Sequence, residues 1–199
     1  MKILVVDDTK LHLDAAKEQL SGIHELTLAS GFSEARKLIW GEKVYREVES
    51  YDFDVILTDY LMPSEKDGLG PNGGNFNGQL MPYGLTLALI ALSTSLNVKV
   101  AIVSAGIDHH SHPMVWAADP LSGVEMMGRL KLFIGYNGET PMRKMVSETE
   151  KCDNPECHSG KCARNDGSTY DCVYCNGDGK LHYRVKDWEK ALSTLLLVK

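Results

Sequence analysis

The chain has no long hydrophobic run, no excess of basic charge and no cysteine outside one short segment. Each absence removes a class of function. The longest mostly apolar stretch, Leu85 to Leu92, is far shorter than the roughly 20 residues that cross a bilayer. Twenty-one basic residues stand against 27 acidic ones, a formal net charge of -6. That balance offers no electrostatic footprint for a phosphate backbone or an anionic lipid surface, so neither nucleic acid nor membrane is expected as a partner. The first residues run directly into carboxylates and lack the small-residue cleavage site of a signal peptide, so a cytoplasmic protein is expected. All five cysteines lie between residues 152 and 175. In a reducing compartment such crowding favours metal over disulfides. No internal repeat of solenoid length is apparent. What remains, 43% hydrophobic over 199 residues, suffices for one ordinary core carrying insertions.

Residues 3–6, Ile-Leu-Val-Val, form a short apolar run ending in two aspartates, the pattern of a strand buried on both faces whose carboxyl end meets solvent. From Thr9 to Leu20, apolar residues recur at helical spacing, with Gly22 placed as a C-cap. Glu25 to Ala29 reads as a second strand. Ser33 reads as the cap of a helix through Ala35, Leu38 and Ile39, broken or extended past Gly41. Phe53 to Leu57 gives a third strand, closing on Asp59. Residues 63–82 are glycine-rich with three prolines and no apolar period, and read as a long mobile loop insertion. Gly84 to Leu96 reads as a helix covered by neighbours, and Val98 to Val103 as a fourth strand ending at Ser104. Residues 114–128 are expected to contain a helix, and Leu130 to Tyr136 to be the fifth strand. Asp187 to Val198 carries Trp188, Ala191, Leu192, Leu195 and Leu196 at the spacing of an amphipathic last helix. Alternation of this kind implies an α/β fold with a parallel sheet wound by right-handed crossovers.

Three carboxylates, Asp7, Asp8 and Asp59, thus fall at the carboxyl ends of two strands that right-handed winding makes neighbours. Such a cluster suits a hard divalent cation with oxygen ligands. A carboxylate there can also accept a phosphoryl group, provided a metal neutralises the developing charge. The segments Ile3-Leu-Val-Val-Asp-Asp8, Asp54-Val-Ile-Leu-Thr-Asp-Tyr-Leu-Met-Pro63 and Ala101-Ile-Val-Ser-Ala105, in this order, resemble the CheY-like receiver family of response regulators over residues 1–104. The resemblance implies a flavodoxin-like doubly wound parallel five-stranded sheet, order 2-1-3-4-5. It further implies that Asp7 and Asp8 hold magnesium, that the carbonyl of Leu61 completes the protein ligands, and that Asp59 is the phosphorylation site. Ser104 takes the place of the family hydroxyl that meets a phosphoryl oxygen. The family's lysine at the end of strand five has no counterpart at Tyr136 or Asn137. Tyr183-Arg-Val-Lys-Asp-Trp188 resembles the family's aromatic-x-x-Lys-Pro-Phe without its proline, which makes Lys186 the candidate. A solvated lysine at a helix start is the alternative.

Cys172-Val-Tyr-Cys175 has the C-x-x-C spacing that places two thiolates on one metal. With the glycines after it, the segment resembles half of the Cys-rich repeat of the DnaJ chaperone family. Cys157 is the candidate third zinc ligand, and Cys152 or Cys162 the fourth, with His158 able to substitute. A disulfide, a redox pair or unliganded thiols are the alternatives. Asp108-His109-His110-Ser-His112 follows the fourth strand, either as a second metal site or gate, or as a solvated loop.

The expected organisation is one receiver domain over 1–199, with a loop insertion at 63–82 and a zinc-binding insertion at 150–182. The expected function is a two-component phosphoacceptor, not an enzyme beyond its own phosphorylation and dephosphorylation. It would be served by a sensor histidine kinase or phosphotransfer protein, with output by contact with a downstream protein. A pseudo-receiver, a zinc-stabilised interaction module without phosphotransfer, is the second expectation, and a thiol redox or chaperone-like protein on Cys172 and Cys175 the third.

Overall fold

A computed structural model of the chain describes residues 1–40, 53–65, 77–104, 125–126, 129–133, 141–152, 157–159, 161–163, 169–172 and 180–197. It divides into two compact units, Met1–Pro141 with Lys186–Lys199, and Met142–Val185. The first unit opens with β1 (Lys2–Val6), α1 (Lys10–Leu20), β2 (Glu25–Ala29), α2 (Phe32–Trp40) and β3 (Val55–Thr58). It continues with the short β4 (Met62–Pro63) and β5 (Leu80–Met81), then α3 (Tyr83–Thr94), β6 (Lys99–Val103), β7 (Glu125–Met126) and β8 (Leu130–Phe133). The last helix, α4, spans Trp188–Leu196.

The main sheet has the order β2-β1-β3-β6-β8-β7. Its first five members are parallel, which in chain order reads 2-1-3-4-5, the flavodoxin-like doubly wound arrangement. Strand alternation explains the wholly apolar runs. Leu4, Val6, Ile56, Val100, Ile102 and Leu132 face one core with α2 and α3. Ile3, Val5, Val55, Leu57, Ala101 and Val103 face the other, which α1 and α4 cover with Ala16, Leu20, Trp188, Ala191, Leu192 and Leu195.

Several local expectations are corrected. Helix α1 ends at Ser21 in a right-handed conformation, its N–H donating to the Lys17 carbonyl, so Gly22 makes no left-handed cap. Helix α2 starts at Phe32, placing Ser33 inside its first turn; the Ala35 N–H donates to the Gly31 carbonyl. The glycine-rich insertion is closed at its base by an antiparallel pair, Met62 with Met81 and Pro63 with Leu80. Sequence reading took these residues for loop because two-residue strands carry no period. Glu125–Met126 is an antiparallel edge strand on β8, where a helix was expected. Helix α3 is covered on one side only: Leu87 and Ala88 are buried, whereas Leu89 is 59% exposed. Gly41, residues 66–76, residues 114–124, Tyr136, Asn137 and His109, His110 and His112 lie outside the described residues.

The second unit contains β9 (Met142–Lys151), β10 (Cys157–His158), β11 (Lys161–Ala163), β12 (Thr169–Asp171) and β13 (Lys180–Lys186), the last of which ends at the first residue of the returning main unit. β9 pairs with β13, and β10, β11 and β12 form an antiparallel sheet of their own. The unit is thus wider than the 150–182 marked out by cysteines, because β9 begins ahead of the first of them. Within the first unit, the Asp187 N–H donates to the Pro141 carbonyl at 2.8 Å, so the chain leaves and returns at neighbouring points.

Gly84 shows how tightly α3 is set against the strand ends. A Cβ there would lie 2.0 Å from the Asp59 carbonyl oxygen, while the Gly84 N–H donates to the Tyr60 carbonyl at 3.1 Å. The obstacle is backbone, which cannot swing aside. Gly84→Ala is expected to destabilise the fold by about 3 kcal/mol, read from urea unfolding; a loss under a third of that figure would contradict the contact.

Candidate acidic site and cysteine cluster

Parallel pairing carries the strand ends into register. The Asp7 N–H donates to the Ala29 carbonyl, the Asp59 N–H to the Val6 carbonyl at 2.8 Å, and the Ser104 N–H to the Phe133 carbonyl. Asp7, Asp59 and Ser104 therefore stand side by side along one sheet edge, all buried, with Asp8 exposed beside them. Carboxylate oxygens of Asp7, Asp8 and Asp59 lie within 4.8 Å of one another.

Lys186 enters this edge from two residues before α4, next to its N-cap Asp187. Its Nζ lies 2.6 Å from Asp7 Oδ2 and 2.6 Å from Asp59 Oδ1, and its side chain is 1% exposed. The same ammonium stands 5.4 Å from the Trp188 ring centroid, a cation–π contact on its other side. A solvated helix-start lysine, the alternative reading of this residue, does not describe it.

Each buried carboxylate is held asymmetrically. Asp7 Oδ1 accepts from the Thr9 N–H at 2.9 Å and Oδ2 from Lys186. Asp59 Oδ1 accepts from the Tyr60 N–H at 2.8 Å and from Lys186, while Oδ2 accepts no hydrogen bond among the described residues. Burial pushes the Asp59 carboxyl up to about 7, assisted by the negative charges of Asp7 and Asp8 and opposed by Lys186. For Lys186, burial works to lower the ammonium, but Asp59 and Asp7 outweigh it and the net displacement is upward. The hydroxyl of Ser104 is buried with no hydrogen-bond partner among the described residues. Leu61 is fully buried two residues beyond Asp59.

The donor set fits a hard divalent cation. Three carboxylates against one ammonium leave two negative charges when all are ionised, and all the side-chain donors are oxygen. Like charges at this spacing repel without a counter-ion.

In the second unit, sulfurs of Cys152, Cys157 and Cys172 lie within 4.8 Å of one another, and Cys152 Sγ is 3.8 Å from Cys172 Sγ. A tetrahedron built on zinc–sulfur bonds of about 2.3 Å has an edge of about 3.8 Å. Cys152, Cys157, Cys162 and Cys172 form no disulfide with one another. Of the two candidates left open for the fourth ligand, Cys152 joins the trio, whereas Cys162 is buried beside it, facing Cys157 across β10 and β11. His158 is exposed and outside the group. Cys175 lies outside the described residues.

Sequence reasoning missed the groups that hold the site from behind: the Thr9 and Tyr60 N–H donors, Gly84, and the α1 residues His12 and Gln19. Backbone donors carry no residue-type signal. Gln19 carried one, as a polar residue between the buried Ala16 and Leu20 on a helix whose charged positions Lys10, Asp14, Lys17 and Glu18 face solvent.

No family model matches the sequence, and no curated protein matches it. Among solved structures, the chain is similar to the response regulator TrrA of Thermotoga maritima in complex with Mg(2+)-BeF, at 20% identity over 69% of this chain and 88% of that one, with a TM-score of 0.38. It is similar to a response-regulator receiver domain protein of Clostridium thermocellum, at 21% identity over 58% and 73% of the two chains, TM-score 0.36. The non-phosphorylated HemR receiver domain of Leptospira biflexa matches at 19% identity over 57% and 73%, TM-score 0.33. These likenesses add nothing to what the strand order and the site geometry already establish.

The charge arrangement predicts opposite effects for two neutralising substitutions in chelator. Lys186→Met strands two buried carboxylates and is expected to cost about 3 to 5 kcal/mol. Asp59→Asn relieves repulsion while keeping an acceptor for the Tyr60 N–H, and is expected to stabilise by about 1 kcal/mol, or about 2 to 4 °C in Tm. Thermal unfolding of both proteins checks the pair, and equal losses would overturn the assignment of the lysine as internal counter-ion.

Proposed function

We propose that the chain is a phosphoacceptor receiver of two-component signalling, phosphorylated on Asp59 with magnesium held by Asp7, Asp8 and Asp59. The observation that carries this reading is the split character of Asp59. One oxygen is fixed by the Tyr60 N–H and by Lys186, and the other is left without a donor among the described residues. An oxygen with no donor on it keeps its lone pairs available for an electrophile. Asp59 Oδ2 attacks the phosphorus of an activated donor, the bond from phosphorus to the leaving atom (the imidazole nitrogen of a phosphohistidine, or the carboxyl oxygen of acetyl phosphate) breaks with its electron pair, and an aspartyl phosphate results. Magnesium supplies neutralisation of the charge on the transferred group. The backbone carbonyl of Leu61 is the further oxygen that this reading assigns to the ion. Lys186, already at Asp59 Oδ1, pairs with the incoming phosphoryl oxygens. Ser104 supplies the missing partner of its own buried hydroxyl by donating to one of them. A residue that gains a partner only in the modified state transmits the modification. The donor on this reading is a sensor histidine kinase or a phosphotransfer protein, and the output is contact with a downstream protein. No helix among the described residues is long and apolar enough to cross a membrane.

A second metal serves a different purpose. The buried side chains of the second unit that cluster apart from the main cores are cysteines, Cys162 and Cys172, with Cys152 and Cys157 packed against them. Zinc held by Cys152, Cys157 and Cys172, with Cys175 as the C-x-x-C partner, is the source of order that so small an apolar cluster lacks. The 3.8 Å sulfur separation supports this.

Incubation with acetyl phosphate and magnesium is expected to add one phosphoryl group to the intact mass, absent in Asp59→Asn and absent in chelator. An unmodified wild-type mass would instead favour a pseudo-receiver that acts as an interaction module. Protein purified without chelator is expected to carry one zinc per chain by atomic absorption. Cys172→Ser is expected to lower that occupancy by more than about tenfold; a zinc-free wild type would refute the cysteine reading.

A further inference from the structure

Helix α4 begins where β13 ends, and its first turn exposes backbone N–H groups that need acceptors. Asp187, at the N-cap, takes the Lys190 N–H at 3.0 Å. The other two come from outside the helix: Gln19 Oε1, on α1, accepts the Trp188 N–H at 2.8 Å and the Glu189 N–H at 3.2 Å. The Gln19 amide then does something a cap has no need to do. Its Nε2 donates to the Lys186 carbonyl at 3.2 Å. One planar side chain therefore grips the backbone on both sides of Asp187. Two turns earlier on the same helix, the buried His12 meets the same segment, its carbonyl accepting the Trp188 Nε1–H at 2.9 Å and its Nδ1 facing the Lys186 N–H at 3.4 Å.

The consequence falls on the ammonium. Lys186 is fully buried and must place Nζ within 2.6 Å of two carboxylates carried by other strands. Its Cα precedes a non-helical N-cap residue, at φ -89° and ψ 82°, with no proline to restrict the backbone. A residue at such a junction drifts unless its carbonyl and the following N–H groups are tied down. We propose that Gln19 is a positioning residue for Lys186, fixing through the Lys186 carbonyl and the α4 N-terminus the point from which the ammonium reaches Asp7 and Asp59. As a statement about phosphoryl transfer this rests on the reading of Asp59 as phosphoacceptor; as a statement about where the ammonium sits it rests on the hydrogen bonds alone.

Two substitutions separate positioning from capping. Gln19→Glu keeps an acceptor for the Trp188 and Glu189 N–H groups but sets a carboxylate against the Lys186 carbonyl. Gln19→Met removes both functions at similar volume. The readout is the side-chain ammonium spectrum of the full chain labelled with 15N-lysine, in chelator, with the Lys186 signal assigned by its loss in Lys186→Arg. Wild type is expected to show a protected Lys186 signal, and both variants to shift or broaden it. In parallel, the rate of phosphorylation by acetyl phosphate is expected to fall about tenfold or more, as for a displaced charged group, without weakening the half-saturating magnesium concentration. A wild-type ammonium signal and rate in folded Gln19→Glu would reduce Gln19 to a helix cap and overturn the proposal. Should Gln19→Met fail to fold, Gln19→Glu decides alone. Should wild type itself take no phosphoryl group, the phosphoacceptor reading falls, and the ammonium signal still decides whether Gln19 places Lys186.

Discussion

An ammonium group wedged between two buried carboxylates governs the rest of this molecule. Lys186 Nζ at 2.6 Å from both Asp7 and Asp59 makes tolerable what the strand ladder would otherwise forbid, two acidic side chains brought together out of water. Parallel pairing leaves no choice in the matter. Once Val6 lies beside Thr58, the residues that follow each strand are neighbours, and both are aspartates. The sheet therefore sets the repulsion, and the lysine offsets it. Even so, burial, reinforced by the charges of Asp7 and Asp8, holds the Asp59 carboxyl up at about 7 against the pull of the lysine. A further cation, or a group that changes the charge on Asp59, finds a site already short of positive charge.

That lysine stands 179 residues from Asp7 in sequence, beyond the whole second unit. The arrangement survives because the inserted unit leaves and returns through adjacent residues, joined by the bond from the Asp187 N–H to the Pro141 carbonyl. An insertion whose ends are close alters the chain's path little at its base, and the fold tolerates it as it tolerates a long surface loop. The cost is local. Lys186 is not held by a continuous parallel strand of the main sheet, and α1 takes over the task through Gln19 and His12. The loop insertion before α3 obeys the same logic at its base, closed by the β4–β5 pair.

The order of strands and the acidic cluster were readable from residues alone because both rest on strong local signals. Ile3 to Val6, Val55 to Leu57 and Val100 to Val103 are apolar without interruption, and a strand buried on both faces admits nothing else. Carboxylates directly after such runs mark the sheet edge. What stayed hidden depends on partners distant in sequence. Met62–Pro63 and Leu80–Met81 are too short to show alternation. Glu125–Met126 acquires its conformation from β8, against a helical surrounding pattern. Ser33 has the chemistry of a cap but lies one residue inside, where Gly31 supplies the first carbonyl. Lys186 was legible as a candidate from the aromatic-x-x-Lys resemblance at 183–186, but its burial was not, since a single lysine before an amphipathic helix looks the same whether it faces water or two aspartates.

The two candidate metal positions divide hard from soft donors as cleanly as they divide the chain. At the sheet edge every side-chain donor is oxygen, one of the three carboxylates is exposed, and a resident ammonium already neutralises part of the charge. In the second unit the clustered donors are the sulfurs of Cys152, Cys157 and Cys172, and Cys162 and Cys172 are buried. The second unit has cohesion of its own in the β9–β13 pair and the β10–β11–β12 sheet, and the cysteines cluster beside these strands. The two clusters therefore differ first in donor chemistry, oxygen at the sheet edge and sulfur in the second unit, and each selects a different class of cation.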